Sequence, residues 1–193
     1  MDIAIIGPEK FAFQDMACIE LALSYRPFGS FTLSPEPTGG EDASLQWDGA
    51  SSTILEVQVK GAKGIAGIAC LTDYLMHYPP RRDEGSLLQR LIEEDDRHSL
   101  FILTARCTDE LTPLLLRRPL VGRPAAHNVP LALVEALRNE IARRVATKPP
   151  KKANKLTLAR LSNLAALAKR PIADFERALA KTSLVEQETA ETI

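Results

Sequence analysis

The sequence predicts an α/β fold in which helices cover a mixed central sheet. Residues 55–60 alternate apolar and polar side chains, as a strand with one exposed face does. Residues 99–104 instead form a continuous apolar run, which is typical of a strand covered on both faces. Segments with helical spacing precede, separate and follow these strands. The order is therefore helix, three strands, helices, strand and helix, which favours a sandwich of helices around one sheet.

Prolines set the bounds of the first predicted elements. Residues 3–6 are a short apolar strand, and residues 11–25 are predicted to form a largely buried helix. This helix is expected to stop before Pro27, because proline disfavours the helical conformation in the residue that precedes it. The next strand covers residues 31–34 and is closed by Pro35.

The next two strands are predicted to form a hairpin. They cover residues 42–47 and 54–60, and the segment that joins them is rich in Asp, Gly and Ser. Directly opposed side chains of a hairpin have Cβ atoms about 5 Å apart. We expect three polar pairs to face each other in this way: Gln46 with Glu56, Ser44 with Gln58, and Asp42 with Lys60.

Beyond the hairpin, periodicity and turn residues define the elements. Leu87, Leu88, Leu91 and Ile92 lie on one helical stripe. Thr108 is a good first residue for a helix, because two acidic residues follow it in the first turn. We predict helices at residues 68–78, 86–95 and 130–146, a further helix that begins at residue 108, and a strand at residues 99–104.

Two prolines between lysines mark a predicted domain boundary near residue 149, since proline ends a helix. We therefore predict a main domain at residues 1–148 and a helical extension, or a linker to a further module, at residues 151–193. Two short helices, residues 156–169 and 172–182, make up most of this extension. They could form a helix-turn-helix that reads DNA or a packing appendage. The acidic last nine residues show no closing element, as in a linker.

The composition is that of a soluble globular protein, with 45% apolar and 25% charged residues in a chain of 193. No apolar run approaches the 18 residues of a membrane span, and the start lacks the features of a secretory signal. We therefore expect a cytoplasmic protein without a membrane segment. The three cysteines form no CxxC pair, and the three histidines lack metal-site spacing. Nucleotide-loop and hydrolase-elbow motifs do not occur in the sequence.

Charge is unevenly distributed, although the net charge is only −1. Residues 1–60 carry nine acidic side chains against three basic ones, whereas residues 138–170 carry ten basic side chains against one acidic one. This asymmetry is compatible with a metal site beside a surface that binds a polyanion. An ordinary solvated helical face would give the same pattern, and both interpretations stay open.

The hairpin would gather side chains suited to a divalent cation and a phosphodiester. Mg²⁺ prefers oxygen ligands and keeps several waters, so a carboxylate with one or two neutral oxygens is enough. Asp42 offers a carboxylate, Gln58 an amide oxygen and Val59 a backbone carbonyl. Lys60 would stabilise developing negative charge or orient a water. Reserve carboxylates are Glu36, Glu41 and Glu56. A half-exposed strand with an ordinary Asp–Lys surface pair remains the alternative.

The same residues resemble a known family. The order helix, strand, Gly39-Gly40-Glu41-Asp42, strand, Glu56-Val57-Gln58-Val59-Lys60 resembles the αβββαβ core of the PD-(D/E)xK nuclease superfamily. Glutamine in place of the usual acid is similar to the Mrr-type restriction endonucleases. More narrowly, Phe13-Gln14, an acid near residue 42 and Gln58-Val59-Lys60-Gly61 resemble the double-stranded-DNA nuclease effector domains of bacterial anti-phage systems. The resemblance covers roughly residues 1–146 and is specific only over residues 42–60.

The resemblance implies roles for individual residues. Asp42, Gln58 and Lys60 would be catalytic, and the metal, Mg²⁺ with Mn²⁺ as an alternative, would be held by Asp42, Gln58 and Val59. Further candidates near this site are Glu41, Glu56, Glu20 and Gln14. For Glu20 a structural acid is an equal alternative. Candidate nucleic-acid contacts are Arg81, Arg82, Arg143, Arg144, Lys151 and Lys152.

These residues lead to one functional expectation and one rival. We expect a Mg²⁺-dependent endonuclease that cuts duplex DNA with little sequence preference, as a homodimer or higher homo-oligomer. In the family, such domains precede a ligand-sensing or NTPase module, so a sensor domain or subunit beyond residue 193 is expected. The rival is a non-catalytic module of the same fold that binds DNA or docks a protein partner through its basic helices.

Overall fold

A computed structural model describes seven segments of the chain: residues 8–35, 42–47, 52–60, 64–78, 85–116, 124–147 and 155–186, with side chains from residue 14 onward. The strand predicted at residues 3–6 lies outside them. Within the described segments, no helix combines the length and the apolar character needed to cross a bilayer.

The protein is an α/β structure built on a mixed sheet of five strands in the order β1-β2-β3-β5-β7. The first three strands form an antiparallel meander, and β5 and β7 then add in parallel. A second, two-stranded sheet pairs β4 with β6. The strands are β1 Phe31–Pro35, β2 Ala43–Trp47, β3 Thr53–Lys60, β4 Ile65–Ala66, β5 Arg97–Leu103, β6 Arg106–Cys107 and β7 Thr182–Glu186.

The described segments contain six α-helices, which flank the sheet. They are α1 Pro8–Tyr25, α2 Ile68–Leu75, α3 Leu87–Glu93, α4 Leu131–Ala146, α5 Lys155–Leu167 and α6 Ile172–Ala180. Short 3-10 helices cover Arg26–Phe28 and Asp109–Leu114. Local chemistry explains several bounds. The α-helix α1 gives way to a 3-10 turn that contains Pro27, and the hydroxyl of Ser86 accepts a hydrogen bond from the backbone N–H of Gln89 at the start of α3 (3.3 Å).

Each face of the sheet has its own hydrophobic core. On one face, buried residues of α1 such as Ala17 and Leu21 pack with Leu45, Trp47 and Val57 of the sheet. On the other face, helices α2 to α6 cover strand residues that include Phe101, Leu103 and Leu184. The alternation along β3 assigns its side chains accordingly, because neighbouring residues of a strand point to opposite faces.

The side chains of Leu55, Val57 and Val59 therefore point towards α1, and those of Glu56, Gln58 and Lys60 point towards the α2–α6 layer. Glu56 is the most deeply buried acid of this strand, with 1% of its surface exposed. Its Oε1 accepts a hydrogen bond from Arg90 of α3 at 2.5 Å and another from Arg97 of β5. This buried ion pair joins three elements behind the strand.

The hairpin register differs from the predicted one. Ser44 faces Glu56 and Gln46 faces Ile54, so β2 is shifted by two residues from the expected pairing. The predicted opposition of Ser44 with Gln58 is therefore wrong, and so is that of Gln46 with Glu56. In the structure, Trp47 pairs with Thr53, whereas the predicted register pairs Trp47 with Leu55. The sequence does not determine how many residues the turn leaves unpaired.

Residues 155–186 do not form a separate helical extension. Leu164 and Leu167 of α5 and Phe175 of α6 belong to the same core as α2 to α4. The residues after α6 form β7, which pairs in parallel with β5 inside the main sheet. The helices α5 and α6 are thus part of the layer that covers the sheet.

Candidate functional site

The regular pairing of β2 with β3 ends next to Asp42, where an irregular backbone hydrogen bond joins the two strands. The backbone N–H of Asp42 donates a hydrogen bond to the carbonyl of Val57 (3.0 Å), although Val57 is already the register partner of Ala43. Two residues of β2 thus oppose one residue of β3, which is the arrangement of a β-bulge. A bulge changes the direction of the side chains beside it, and here it turns the Asp42 carboxylate towards α1.

The Asp42 carboxylate joins three elements. Its Oδ2 accepts a hydrogen bond from the backbone N–H of Val59 on β3, at 2.5 Å. Its Oδ1 accepts a hydrogen bond from Nε2 of Gln14 on α1. The carboxylate therefore takes the position on the edge of β3 that a backbone carbonyl of β2 would occupy if the strands continued to pair. Helix α1 and the two strands are fixed to one another at this point.

The carbonyl of Val59 lies on the same edge of β3. The carbonyl of the next residue, Lys60, accepts a hydrogen bond from Thr104 after β5 (3.2 Å), so Lys60 directs its backbone groups towards β5. Backbone groups of successive strand residues point to opposite neighbours. The Val59 N–H, which reaches Asp42, and the Val59 carbonyl therefore both face the side from which β2 has diverged.

Two buried carboxamides contain polar atoms that lack hydrogen-bond partners among the described residues. Gln58 is 1% exposed, and neither its Oε1 nor its Nε2 has a partner there. Gln14 is 7% exposed, and its Oε1 likewise has none. Leaving a buried polar group unsatisfied costs about 1–3 kcal/mol. These oxygens are therefore candidates to bind something that the protein itself does not supply.

Lys60 lies at the end of β3 beneath α2. Its Nζ is 5.9 Å from the ring centroid of Tyr74 on α2, within the range of a cation–π contact. Tyr74 in turn packs its ring against Phe101 of β5, with centroids 5.5 Å apart. Phe101 is the register partner of Gln58. The polar residues of β3 and this aromatic pair thus form one continuous patch.

The electrostatic environment keeps two neighbouring groups neutral. Burial raises the pKa of the Cys18 thiol on α1, and the negative charges of Asp42 and Asp15 raise it further. Burial, with smaller contributions from Cys70, Asp73 and Cys107, raises the pKa of Tyr74 to about 12. At neutral pH the site is therefore bordered by a thiol and a phenol, neither of which carries a charge.

The structure places the predicted metal ligands in two groups rather than on one face. Asp42 and the backbone of Val59 are in direct contact at the edge of β3. Gln58 and Lys60 project from the same strand towards the α2–α6 layer. Continued by one residue from the Ala43–Val57 pair, the observed register places Asp42 opposite Gln58. The predicted opposition of Asp42 with Lys60 is therefore wrong. The bulge and the register shift cause this difference.

Other candidates lie elsewhere. Glu56 is occupied by Arg90 and Arg97, and Glu20 is on the exposed side of α1. Gln14 is the candidate on α1 that touches Asp42. The candidates Glu36, Glu41, Arg81, Arg82, Lys151 and Lys152 lie outside the described residues.

Two candidate nucleic-acid contacts already bind side chains of the protein. Arg144 donates to Glu140, to Asp73 (2.5 Å) and to the carbonyl of Ala69, which fastens the end of α4 to α2. Arg143 forms two hydrogen bonds of 2.7 Å with Glu140 but keeps 66% of its side chain exposed. Hydrogen bonds from Arg143 lower the pKa of Glu140 to about 2. Arg143 remains available to an anion, whereas Arg144 has a structural role.

The residues around Asp42 offer oxygen donors to a metal ion. In the described part of the chain, no group of three or more His, Cys, Asp or Glu side chains is arranged to hold a metal. The oxygens near Asp42 come instead from its own carboxylate, the Gln14 carboxamide and the Val59 carbonyl, whereas the Gln58 carboxamide lies towards the α2–α6 layer. Hard cations such as Mg²⁺ accept such neutral oxygens and complete their shell with water. These donor types are those of a hard cation and differ from the thiolates that soft metals prefer.

Sequence reasoning missed two features of this site. Tyr74 carried no signal, because an aromatic residue in a predicted helix is ordinarily a core residue. The bulge at Asp42 was missed as well, since no glycine marks it. No protein-family model, curated protein or solved structure matches this chain.

Proposed function

We propose that the protein is a metal-dependent endonuclease that cleaves duplex DNA with little sequence preference. The observation that carries this proposal is the Asp42 carboxylate, which accepts hydrogen bonds from Gln14 and from the Val59 N–H, together with the buried Gln14 Oε1, which lacks a partner among the described residues. A site with one carboxylate and several neutral oxygens suits a cation that retains waters. We further propose that the domain belongs to the PD-(D/E)xK superfamily, as a Q-x-K variant, and acts as an effector in anti-phage defence.

The architecture supports the family assignment. A helix, α1, precedes a three-stranded antiparallel meander, and helices α2 and α3 then lead to the parallel strand β5. This is the αβββαβ order that the sequence resemblance implies. Asp42 lies directly before β2, and Gln58, Val59 and Lys60 lie at the end of β3, where the two strands separate.

Each residue has a task in phosphodiester hydrolysis. A bound Mg²⁺ would polarise the phosphoryl oxygen and lower the pKa of a water. Asp42, Gln58 and the Val59 carbonyl would hold the ion. Gln14 orients the Asp42 carboxylate through its Nε2. Lys60 would stabilise the negative charge that develops on the phosphate, because an ammonium is effective where water is excluded.

The substrate and assembly follow from the same proposal. Two sites would cut both strands of a duplex in one encounter, so we propose a homodimer or a higher homo-oligomer. Arg143 presents an exposed guanidinium at the end of α4, next to the point where Arg144 fastens α4 to α2. Phosphate contacts of this kind give affinity without sequence preference. An activating sensor module would control the assembly.

Plasmid cleavage tests the proposal. Supercoiled plasmid is incubated with the wild-type protein and Mg²⁺, with Mn²⁺, or with EDTA, and with the Lys60→Ala variant in Mg²⁺. We expect cleavage by the wild type in either metal and loss of cleavage in EDTA and in the variant. The matched control is Lys169→Ala, which removes an exposed lysine from the turn after α5. This variant should cut like the wild type.

The outcomes separate the proposal from its rival. Loss of cutting in Lys60→Ala and EDTA, with full activity of Lys169→Ala, supports the enzyme. Binding of DNA by the wild type without cleavage, in any metal and after forced dimerisation through a fused dimeric tag, would contradict it and support a non-catalytic DNA-binding module. Residual cutting in EDTA would exclude the metal-dependent mechanism.

A further inference from the structure

We propose that Tyr74 is a positioning residue for Lys60, holding the lysine ammonium over the end of β3 through its aromatic face. This inference rests on the proposed function for its effect on catalysis, although the contact itself can be tested without activity. Tyr74 lies on α2, outside the strand that carries the Gln58-Val59-Lys60 motif, and the sequence analysis did not single it out.

The geometry connects the ring to the motif on two sides. The Nζ of Lys60 is 5.9 Å from the Tyr74 centroid. The ring is itself held by Phe101, with an angle of 34° between the planes, and Phe101 is the neighbour of Gln58 on β5. A lysine side chain has four rotatable bonds and loses considerable entropy when it is fixed. A rigid aromatic face reduces that cost, because one of its neighbours is already in place before substrate arrives.

The chemistry of the ring suits an ammonium. The face of an aromatic ring carries the negative part of its quadrupole, which attracts a cation. Because burial raises the pKa of Tyr74 to about 12, the hydroxyl stays protonated at neutral pH. The ring therefore attracts Lys60 without forming a phenolate salt bridge. This attraction holds the ammonium near the end of β3.

The position of α2 gives the contact a wider role. Helix α2 is joined to the end of α4 by Arg144, which binds Asp73 and the carbonyl of Ala69. Asp73 is adjacent to Tyr74 in the sequence, so the ring belongs to a helix that is fixed to α4. A shift of α2 would move the ring and the ammonium together. Tyr74 is thus the link between the helical layer and the motif on β3.

Three variants test the ring. Tyr74→Phe keeps the aromatic face, and Tyr74→Leu and Tyr74→Met replace it with apolar side chains. We expect Tyr74→Phe to retain the wild-type kcat for plasmid cleavage within about twofold. Loss of a cation–π contact of this kind should lower kcat in the other two about threefold to tenfold, with little change in KM. Tyr78→Leu is the matched control, since it removes a second aromatic–cation pair, with Arg160, whose centroid distance is 4.9 Å.

A spectroscopic readout tests the contact independently of catalysis. The ring current of Tyr74 should shift the ε-methylene NMR signals of Lys60 upfield in the wild type and in Tyr74→Phe, and this shift should disappear in Tyr74→Leu and Tyr74→Met. The Lys60→Arg variant assigns the signal. Because the measurement is made without metal or DNA, it distinguishes failure of this inference from failure of the nuclease proposal.

The NMR shift and the kinetics of the variants together decide whether Tyr74 positions Lys60. An upfield shift in the wild type and rescue of kcat by phenylalanine support the positioning role. If wild-type Lys60 shows no ring-current shift, the proposal is overturned whatever the variants do. It is also overturned if Tyr74→Phe loses as much activity as Tyr74→Leu, because the hydroxyl would then be the active group. If the wild type does not cut DNA, the nuclease function fails, while the NMR signal still decides whether Tyr74 holds Lys60.

Discussion

Replacement of Glu56 by glutamine perturbs a buried charge that two arginines share. Glu56 is 1% exposed and Arg90 is 7% exposed, so the variant leaves at least one guanidinium without its carboxylate in a place that water scarcely reaches. Breaking a buried ion pair by removal of one partner costs about 3–5 kcal/mol. Glutamine keeps the shape and one accepting oxygen, so we expect a loss near the lower limit, about 3 kcal/mol, in the free energy of unfolding.

The measurement is equilibrium unfolding in urea followed by circular dichroism, with the wild type as reference. The matched control is Glu93→Gln, which removes a carboxylate from an exposed pair with Arg170 at 2.8 Å. Exposed ion pairs contribute about 0–1 kcal/mol, so this control should shift the unfolding midpoint little. The double variant Glu56→Met with Arg90→Leu removes both charges, and we expect it to recover part of the loss, because two apolar side chains of similar volume need no partner.

The result that would refute this reasoning is a loss of less than about 1 kcal/mol in Glu56→Gln, equal to that of the surface control. It would mean that the arginines are solvated by other groups and that the carboxylate is not needed for the fold. Glu56 would then be available as a reserve metal ligand, as the sequence first suggested. A clear loss instead assigns Glu56 to the interior of the fold.

Three further predictions concern other parts of the molecule. Asp42→Asn should abolish plasmid cleavage while the free energy of unfolding changes by about 1 kcal/mol or less, because the amide oxygen can still accept from Val59; a large loss of stability would contradict this. For His98, burial, with the charges of Lys181 and His127, lowers the pKa from 6.5 to about 4, so the unfolded chain binds a proton that the folded one does not. Unfolding free energy in urea should therefore fall between pH 7 and 5, by about 2 kcal/mol at most and less after solvent screening, and a His98→Gln variant should lack this part of the decrease. A chain that ends at residue 147 should show no cooperative unfolding transition, since it lacks β7 and core residues of α5 and α6; a cooperative transition would show that these are dispensable.

Local patterns were sufficient for most strands and helices. The apolar run identified β5, which is covered on both faces. Alternation identified β3, but the exposed face that it predicted is wrong, because Glu56 and Gln58 on the polar side are each 1% exposed. Predicted helices lie within a few residues of α2, α3 and α4. The segment that begins at Thr108 is a 3-10 helix instead of an α-helix, with Pro113 inside it. These elements are determined by residues that are close together in the sequence.

The missed features depend on residues that are far apart. The sequence analysis assigned the residues of β7 to a helix and an acidic tail, because this strand has only five residues, Thr182–Glu186, and lies next to charged ones. Their apolar side chains become buried only when β5 is beside them. The partners of Glu56 are 34 and 41 residues away, and no local pattern identifies them. The bulge at Asp42 likewise appears only when the two strands are paired.

The sequence named candidate site residues but did not give their geometry. Asp42, Gln58, Val59 and Lys60 were identified from the spacing of polar residues and from the family resemblance. Their arrangement depends on the turn length and on the bulge, which set a register that differs by two residues from the expected one. A shift of two keeps each side chain on its face of the sheet, so the polar face of β3 was still identified correctly.

The place of β7 in the sheet also sets when the fold can form during synthesis. The chain emerges from the ribosome N-terminus first, so the residues of α1, β2 and β3 appear long before residues 182–186. Strand β5 stands between β3 and β7, and it remains an open edge until β7 arrives. A nascent chain therefore carries the candidate site residues before the sheet that supports them is complete. For a protein that we propose to cut DNA, this delay would keep unfinished chains harmless to the cell that makes them.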